Sequence, residues 1–138
     1  MASDTLNHTI LEACECDFDL HDVESITAYM TEASLREGLT VLGSSTQVYA
    51  PHGATIVVFL AESHVLLSTW PEHGYAYVDI LSCGRSDGPG LIAEFLKSKL
   101  RPRRVRQQAL LHQGLRGPQP GALETVVHVP AIFPAAVP

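Results

Sequence analysis

Cysteine is scarce and odd in number: Cys14, Cys16 and Cys83. An odd count argues for thiols rather than a disulfide framework. Cys14-x-Cys16 is tighter than the C-x-x-C spacing of metal and redox sites, and no second pair follows, so no metal site is expected. Long apolar runs are also missing. The longest, residues 56–61, falls far short of the roughly 18 needed to span a membrane, so no membrane association is expected. Residues 1–7 lack the basic and apolar regions of a secretory signal, which makes a cytoplasmic protein the expectation. Basic charge is in deficit. A net charge of −6 argues against a nucleic-acid partner. No internal repeat occurs at solenoid periods.

What is present is apolar residues, at 46% of a 138-residue chain, enough for one globular domain with a sizeable core. Seven of the nine Lys and Arg residues lie between Lys97 and Arg116. Such a cluster reads as a solvated helix end and loop, or as a patch for an anionic partner.

Periodicity divides residues 1–111 into eight elements. A first strand is expected at residues 8–14. Asp19 is placed to cap a helix from Leu20, with Asp22 in its first turn and Val23, Ile26, Met30 and Ala33 on one apolar face. Gly38 ends it. Residues 39–49 form a strand interrupted at Gly43-Ser44-Ser45, and Pro51-His52-Gly53 is a turn. The β-branched run 54–61 reads as a strand buried on both faces. Residues 64–70 and 75–82 form further strands around the turn 71–74. The second alternates, with Ala76, Val78 and Ile80 on one face and Tyr75, Tyr77 and Asp79 on the other. A second helix spans 87–100, with Leu91, Ile92, Phe95, Leu96 and Leu100 toward the core. A last strand covers 105–111. The order β-α-β-β-β-β-α-β predicts an α+β fold: a two-layer sandwich of an antiparallel sheet with two helices on one face. Residues 112–138 form a Gly/Pro-rich extension, with an edge strand possible at 123–129 and a loosely ordered end at 130–138.

Glu62-Ser63 interrupts an otherwise apolar hairpin. By itself this is a polar turn between strands. Its surroundings say more. Glu62-Ser63-His64, Thr69-Trp70-Pro71-Glu72, Gly74-Tyr75-Ala76, Val78-Asp79 and Ser82-Cys83-Gly84 follow in order. This resembles the bacterial S-adenosylmethionine decarboxylase family, which carries E-S-H, T-W-P-E-x-G-Y-A-x-V-D and T-C-G at these spacings. Leu42-Gly43-Ser44-Ser45, Pro51-His52-Gly53, Glu12 and Cys16-Asp17 are similar too. The resemblance spans about residues 6–110 and makes 1–111 a domain of that type.

The resemblance implies self-cleavage between Glu62 and Ser63, which converts Ser63 into a pyruvoyl group, the enzyme's cofactor. That group forms a Schiff base with the amine of a small amino-acid-type substrate, and carbon dioxide leaves. Cys83, otherwise a small buried apolar residue, becomes the proton donor. Tyr49, Trp70 and Glu72 become substrate-binding residues, where sheet packing would equally account for Tyr49 and Trp70. The product would be the aminopropyl donor for spermidine biosynthesis. The family also implies a homodimer of cleaved chains with active sites at the interface.

Two positions depart from the family. Ser68 stands where the family has the histidine that takes a proton during self-processing, and a serine is a far poorer base. Its helper serine is here Thr55. Leu66 replaces a position that is often polar. His64 is a substitute base by proximity in sequence, though four residues from Ser68. Relatives reported to act on L-ornithine or L-arginine offer one alternative function. An unprocessed, non-enzymatic binding or regulatory relative offers another.

Overall fold

The computed structural model describes residues 5–84 and 87–117. The expected strand at 123–129 and the chain end at 130–138 lie outside them. Strands β1 (Leu6–Cys16), β2 (Val41–Val48), β3 (Ala54–Leu60), β4 (Ser63–Trp70), β5 (Tyr75–Cys83) and β6 (Pro102–His112) form one sheet in the order β2-β3-β4-β5-β1-β6. Every neighbouring pair is antiparallel. Helices α1 (Val23–Arg36) and α2 (Gly88–Leu100) complete the β-α-β-β-β-β-α-β order. The expected α+β sandwich is the architecture found.

The two faces of the sheet have different fates. Leu11, Ile56, Val58, Val65, Leu67, Val78 and Ile80 are fully buried and pack with Ile26, Met30, Ile92 and Leu96 of the helices. Each such side chain contributes about 1.5–3 kcal/mol by leaving water. Residues of opposite parity, including Thr55, Val57, His64, Leu66, Ser68, Tyr77 and Asp79, lie on the face without helices and are only partly buried. Strand β3 therefore departs from the expected burial on both faces. Ala54, Ile56, Val58 and Leu60 are buried, whereas Phe59 is 47% exposed. A continuous apolar run cannot reveal that only one side of the sheet carries helices.

Local chemistry explains the other differences. Asp19 does not cap α1. Its carboxylate accepts the backbone N–H of His21, a local turn bond that delays the helix. Asp22 is the cap, accepting from Ser25 N–H at 3.1 Å. Gly38 follows α1 at φ +75°, as expected of a helix stop. Strand β2 runs through Gly43-Ser44-Ser45, and the expected interruption is a shift of register between Val41 and Gly43. Leu91 is 41% exposed, not in the core, because Ile92, Ala93 and Leu96 hold the buried stripe of α2. The basic cluster is not a loop. Arg103, Arg104 and Arg106 lie on β6 and face Asp17, Glu15 and Glu12. No helix among the described residues is long and apolar enough to cross a membrane.

Candidate functional site

Strands β3 and β4 join through Ala61 and Glu62, with Leu60 paired to Ser63. Glu62 has φ +68°, a left-handed conformation that costs a non-glycine residue about 1–2 kcal/mol. The peptide bond to Ser63 leaves directly from this strained residue. His64 pairs with Leu81, so Ser63 lies level with Ser82 and beside Cys83 at the end of β5. Ser63 and Cys83 thus lie at the same end of the sheet, Ser63 in the parity of Val65 and Cys83 in that of Asp79.

The other expected site residues gather elsewhere. Tyr49 Oη donates to Thr55 Oγ1 at 3.0 Å, and Thr55 Oγ1 lies 2.7 Å from Ser68 Oγ. Tyr49, Thr55, Ser68, Thr69, Trp70 and Glu72 line a cleft of about 340 Å3 together with His52 of the turn 51–53. The Trp70 ring packs edge-on against Tyr75 at 5.4 Å. Gly53 shapes the lip of the cleft. Its φ is +94°, and a Cβ there would lie 2.6 Å from the Thr69 carbonyl oxygen. Strand rise over the five residues from Ser63 to Ser68 puts the two ends roughly 16 Å apart.

Between them the open face carries a hydrogen-bonded chain that the sequence reading missed. Asp79 Oδ1 lies 3.0 Å from His8 Nε2 and 3.3 Å from His64 Nε2. His8 Nδ1 is 2.9 Å from His112 Nε2. A carboxylate only accepts, so both Nε2 atoms carry the proton when these rings are neutral. His8 Nδ1 then accepts from His112. Burial, followed by the charge of Asp79, holds the Tyr77 phenol above its ordinary range. Tyr75 is raised by burial and by donating to Glu12 at 2.5 Å. The shared parity of His64 and Asp79 on adjoining strands was a readable signal. The placement of β1 between β5 and β6, which brings in His8 and His112, was not.

Among the described residues no group of three or more His, Cys, Asp or Glu side chains is arranged to hold a metal ion.

Fold and site define a two-layer α+β class with a serine next to a left-handed hairpin residue and a cysteine at the same end of the adjoining strand. The family model described as S-adenosylmethionine decarboxylase matches residues 7–113. An S-adenosylmethionine decarboxylase proenzyme of Geobacillus sp. is 37% identical over 110 residues, covering 79% of this chain and 87% of the relative. One from Prochlorococcus marinus is 37% identical over 124 residues, covering 89% and 95%. The crystal structure of the adenosylmethionine decarboxylase from Aquifex aeolicus superposes with a TM-score of 0.71 at 34% identity, covering 79% of this chain and 91% of that one. The chain belongs to the S-adenosylmethionine decarboxylase family.

Proposed function

We propose that residues 1–111 are a precursor enzyme domain that cuts itself between Glu62 and Ser63 and then decarboxylates S-adenosylmethionine, yielding the aminopropyl donor for spermidine biosynthesis. The observation that carries this reading is the left-handed Glu62 directly before Ser63, with Cys83 at the same end of the adjoining strand. Residues 112–138 are an extension outside this chemistry.

Ser63 Oγ attacks the Glu62 carbonyl carbon. The C–O bond forms as the C–N bond breaks, and the serine amine is freed. Loss of the Ser63 α-proton then expels the Glu62 carboxylate and leaves dehydroalanine. Water adds, ammonia departs, and the new chain begins with a pyruvoyl group. The residues present fit such a group: a serine directly after a two-residue turn, with Cys83 at the same end of the adjoining strand. The group supplies an electron sink when the substrate carboxyl leaves. Cys83 Sγ returns a proton to the substrate's α-carbon. Tyr49 and Trp70 offer flat faces to the adenine, and Glu72 accepts from the sugar hydroxyls.

The 16 Å separation calls for a second copy. In a two-fold homodimer, Thr55, Ser68 and the cleft of one protomer serve Ser63 of its partner. The open sheet face supports this, because Tyr49, Phe59 and Trp70 are 43–48% exposed around its half-buried polar groups. The cytoplasm, where polyamine precursors are handled, is the proposed location.

The test is a denaturing intact-mass spectrum followed by release of labelled carbon dioxide from carboxyl-labelled S-adenosylmethionine. Two chains meeting at Glu62/Ser63 and release from this substrate support the reading. Release only from labelled ornithine or arginine would move the substrate. A chain that stays whole would make it a non-enzymatic relative. Cys83→Ala should still cut itself while losing about 10²–10⁴-fold in turnover.

A further inference from the structure

We propose that residues 123–129 of this same chain return antiparallel along the outer edge of β6 and close the sheet there, with Leu123, Val127 and Val129 on the helix side. Strand β6 stands at the end of the sheet order, and β1 is its neighbour among the described strands. Its outer edge presents a row of backbone donors and acceptors over a strand of 11 residues. Long edges of this kind invite pairing, and proteins cover them or charge them. The first half of β6 is charged, by Arg103, Arg104 and Arg106. The second half, residues 107–111, carries no charge.

The helix side of β6 is also left open. Helix α2 packs on β1 and β5, and α1 packs on β2 and β3. Val105 and Leu111 are accordingly 48% and 56% exposed. Thr9 pairs with Ala109 and Asn7 with Leu111, and these four residues line the helix side of a cleft of about 270 Å3 between β1 and β6. Asn7 and Thr9 are buried in its floor, whereas Ala109 and Leu111 form the outer wall that faces solvent. An uncharged edge and an uncovered apolar side thus coincide on the second half of β6.

The chain that follows has the length and the pattern to cover both. After His112 comes a single 3-10 turn at Gly114–Arg116, and Gly117 takes φ +87°. The ten residues 113–122 also hold Pro118, Pro120 and Gly121, the residue types of a reversal. Ten residues reach far beyond the roughly 5 Å between neighbouring strands. Residues 123–129 read Leu-Glu-Thr-Val-Val-His-Val, and Pro130, which cannot donate to a ladder, stops the run. Opposed residues of an antiparallel pair share a face. Setting odd numbers against odd numbers puts Leu123, Val127 and Val129 beside Val105, Ala109 and Leu111, and turns Glu124 and His128 away. A slip of one residue would set Glu124 and His128 against that apolar side instead. A segment tethered by ten residues acts at roughly millimolar effective concentration, which favours it over a second copy.

The test is amide hydrogen exchange on the full-length chain, resolved by residue and run at two protein concentrations. The β6 amides that point away from β1 should exchange about tenfold or more slowly than in a Leu123→Asp/Val127→Asp chain, at both concentrations. Amides of β3 and β4, remote from this edge, should match in the two proteins and so report that the core is intact. Val126→Asp, on the opposite parity, should keep most of the β6 protection. Equal exchange of these β6 amides in wild type and in Leu123→Asp/Val127→Asp overturns the proposal. Protection that appears only at the higher concentration also overturns it and gives the edge to a second copy. Val126→Asp releasing these amides as fully as the double variant overturns the assigned parity. Exchange at β6 is read whether or not the chain cuts at Ser63, so failure of the self-cleavage reading leaves this result standing.

Discussion

Thr55 Oγ1 and Ser68 Oγ are cross-strand partners 2.7 Å apart, yet they stand at the opposite end of β4 from Ser63. One protomer cannot bring them to its own scissile bond without unpairing the strand. Mixing two crippled chains should therefore restore cutting. A Ser63→Ala chain keeps its hydroxyl pair, and a Thr55→Val/Ser68→Ala chain keeps its Ser63. In the mixed dimer one site holds every wild-type group. The second chain should be cut faster in the mixture than alone, read by intact mass. Equal rates would place the hydroxyl pair outside the reaction.

Gly53 is fixed by two separate constraints. Its φ of +94° is one, and the Thr69 carbonyl oxygen 2.6 Å from an added Cβ is the other. Gly53→Ala should lose about 1–3 kcal/mol and several degrees of Tm. Gly38 gives the comparison, since φ is +75° there but nothing lies within 4 Å of a Cβ. Gly38→Ala should show only the smaller, conformational part. Thermal melts of both variants separate the clash from the strain. Equal losses would mean that the turn shifts freely over Thr69.

Local order was legible in the sequence because it is written in period and punctuation. Alternation along residues 75–82 and the 3.6-residue spacing of Ile26, Met30 and Ala33 gave strand and helix directly. The motifs around Ser63 and Cys83 gave the family. What stayed hidden depends on contacts between distant segments. Burial of β3 on one face follows from where the helices pack, and the His8–Asp79–His64 chain follows from β1 lying beside β5. The split of the site residues into two ends was legible, because the expected strand 64–70 already put its start roughly 13 Å from Ser68 by strand rise.

Cys16 predicts how stability depends on pH. Burial, with Cys14 and Asp17 nearby adding to it, pushes this thiol from about 9 up to about 12. The folded thiol stays neutral while an unfolded one ionises above about 9, so the unfolded chain binds fewer protons there. Stability from this group is whole below about pH 9 and is lost as pH rises toward about 12. The Tm advantage of the wild type over Cys16→Ala should shrink between about pH 8 and pH 11. A constant difference across that range would show that the thiol is not held neutral by the fold.

Glu62 stores its strain in the uncut chain. In a Ser63→Ala background, which cannot cleave, Glu62→Gly removes a left-handed cost of about 1–2 kcal/mol. The added freedom of glycine in the unfolded chain takes back about 0.5–1 kcal/mol, so a net gain of about 0.5–1 kcal/mol and a higher Tm are expected. Glu62→Ala keeps the positive φ and removes the same carboxylate, so it should show no such gain. With Ser63 restored, the strain is available to the reaction, because breaking the Glu62–Ser63 bond frees that backbone. Glu62→Gly should then cut itself several-fold more slowly than Glu62→Ala. If the two variants melt together and cut together, the turn is relaxed and the driving force lies in the groups around Ser63 alone.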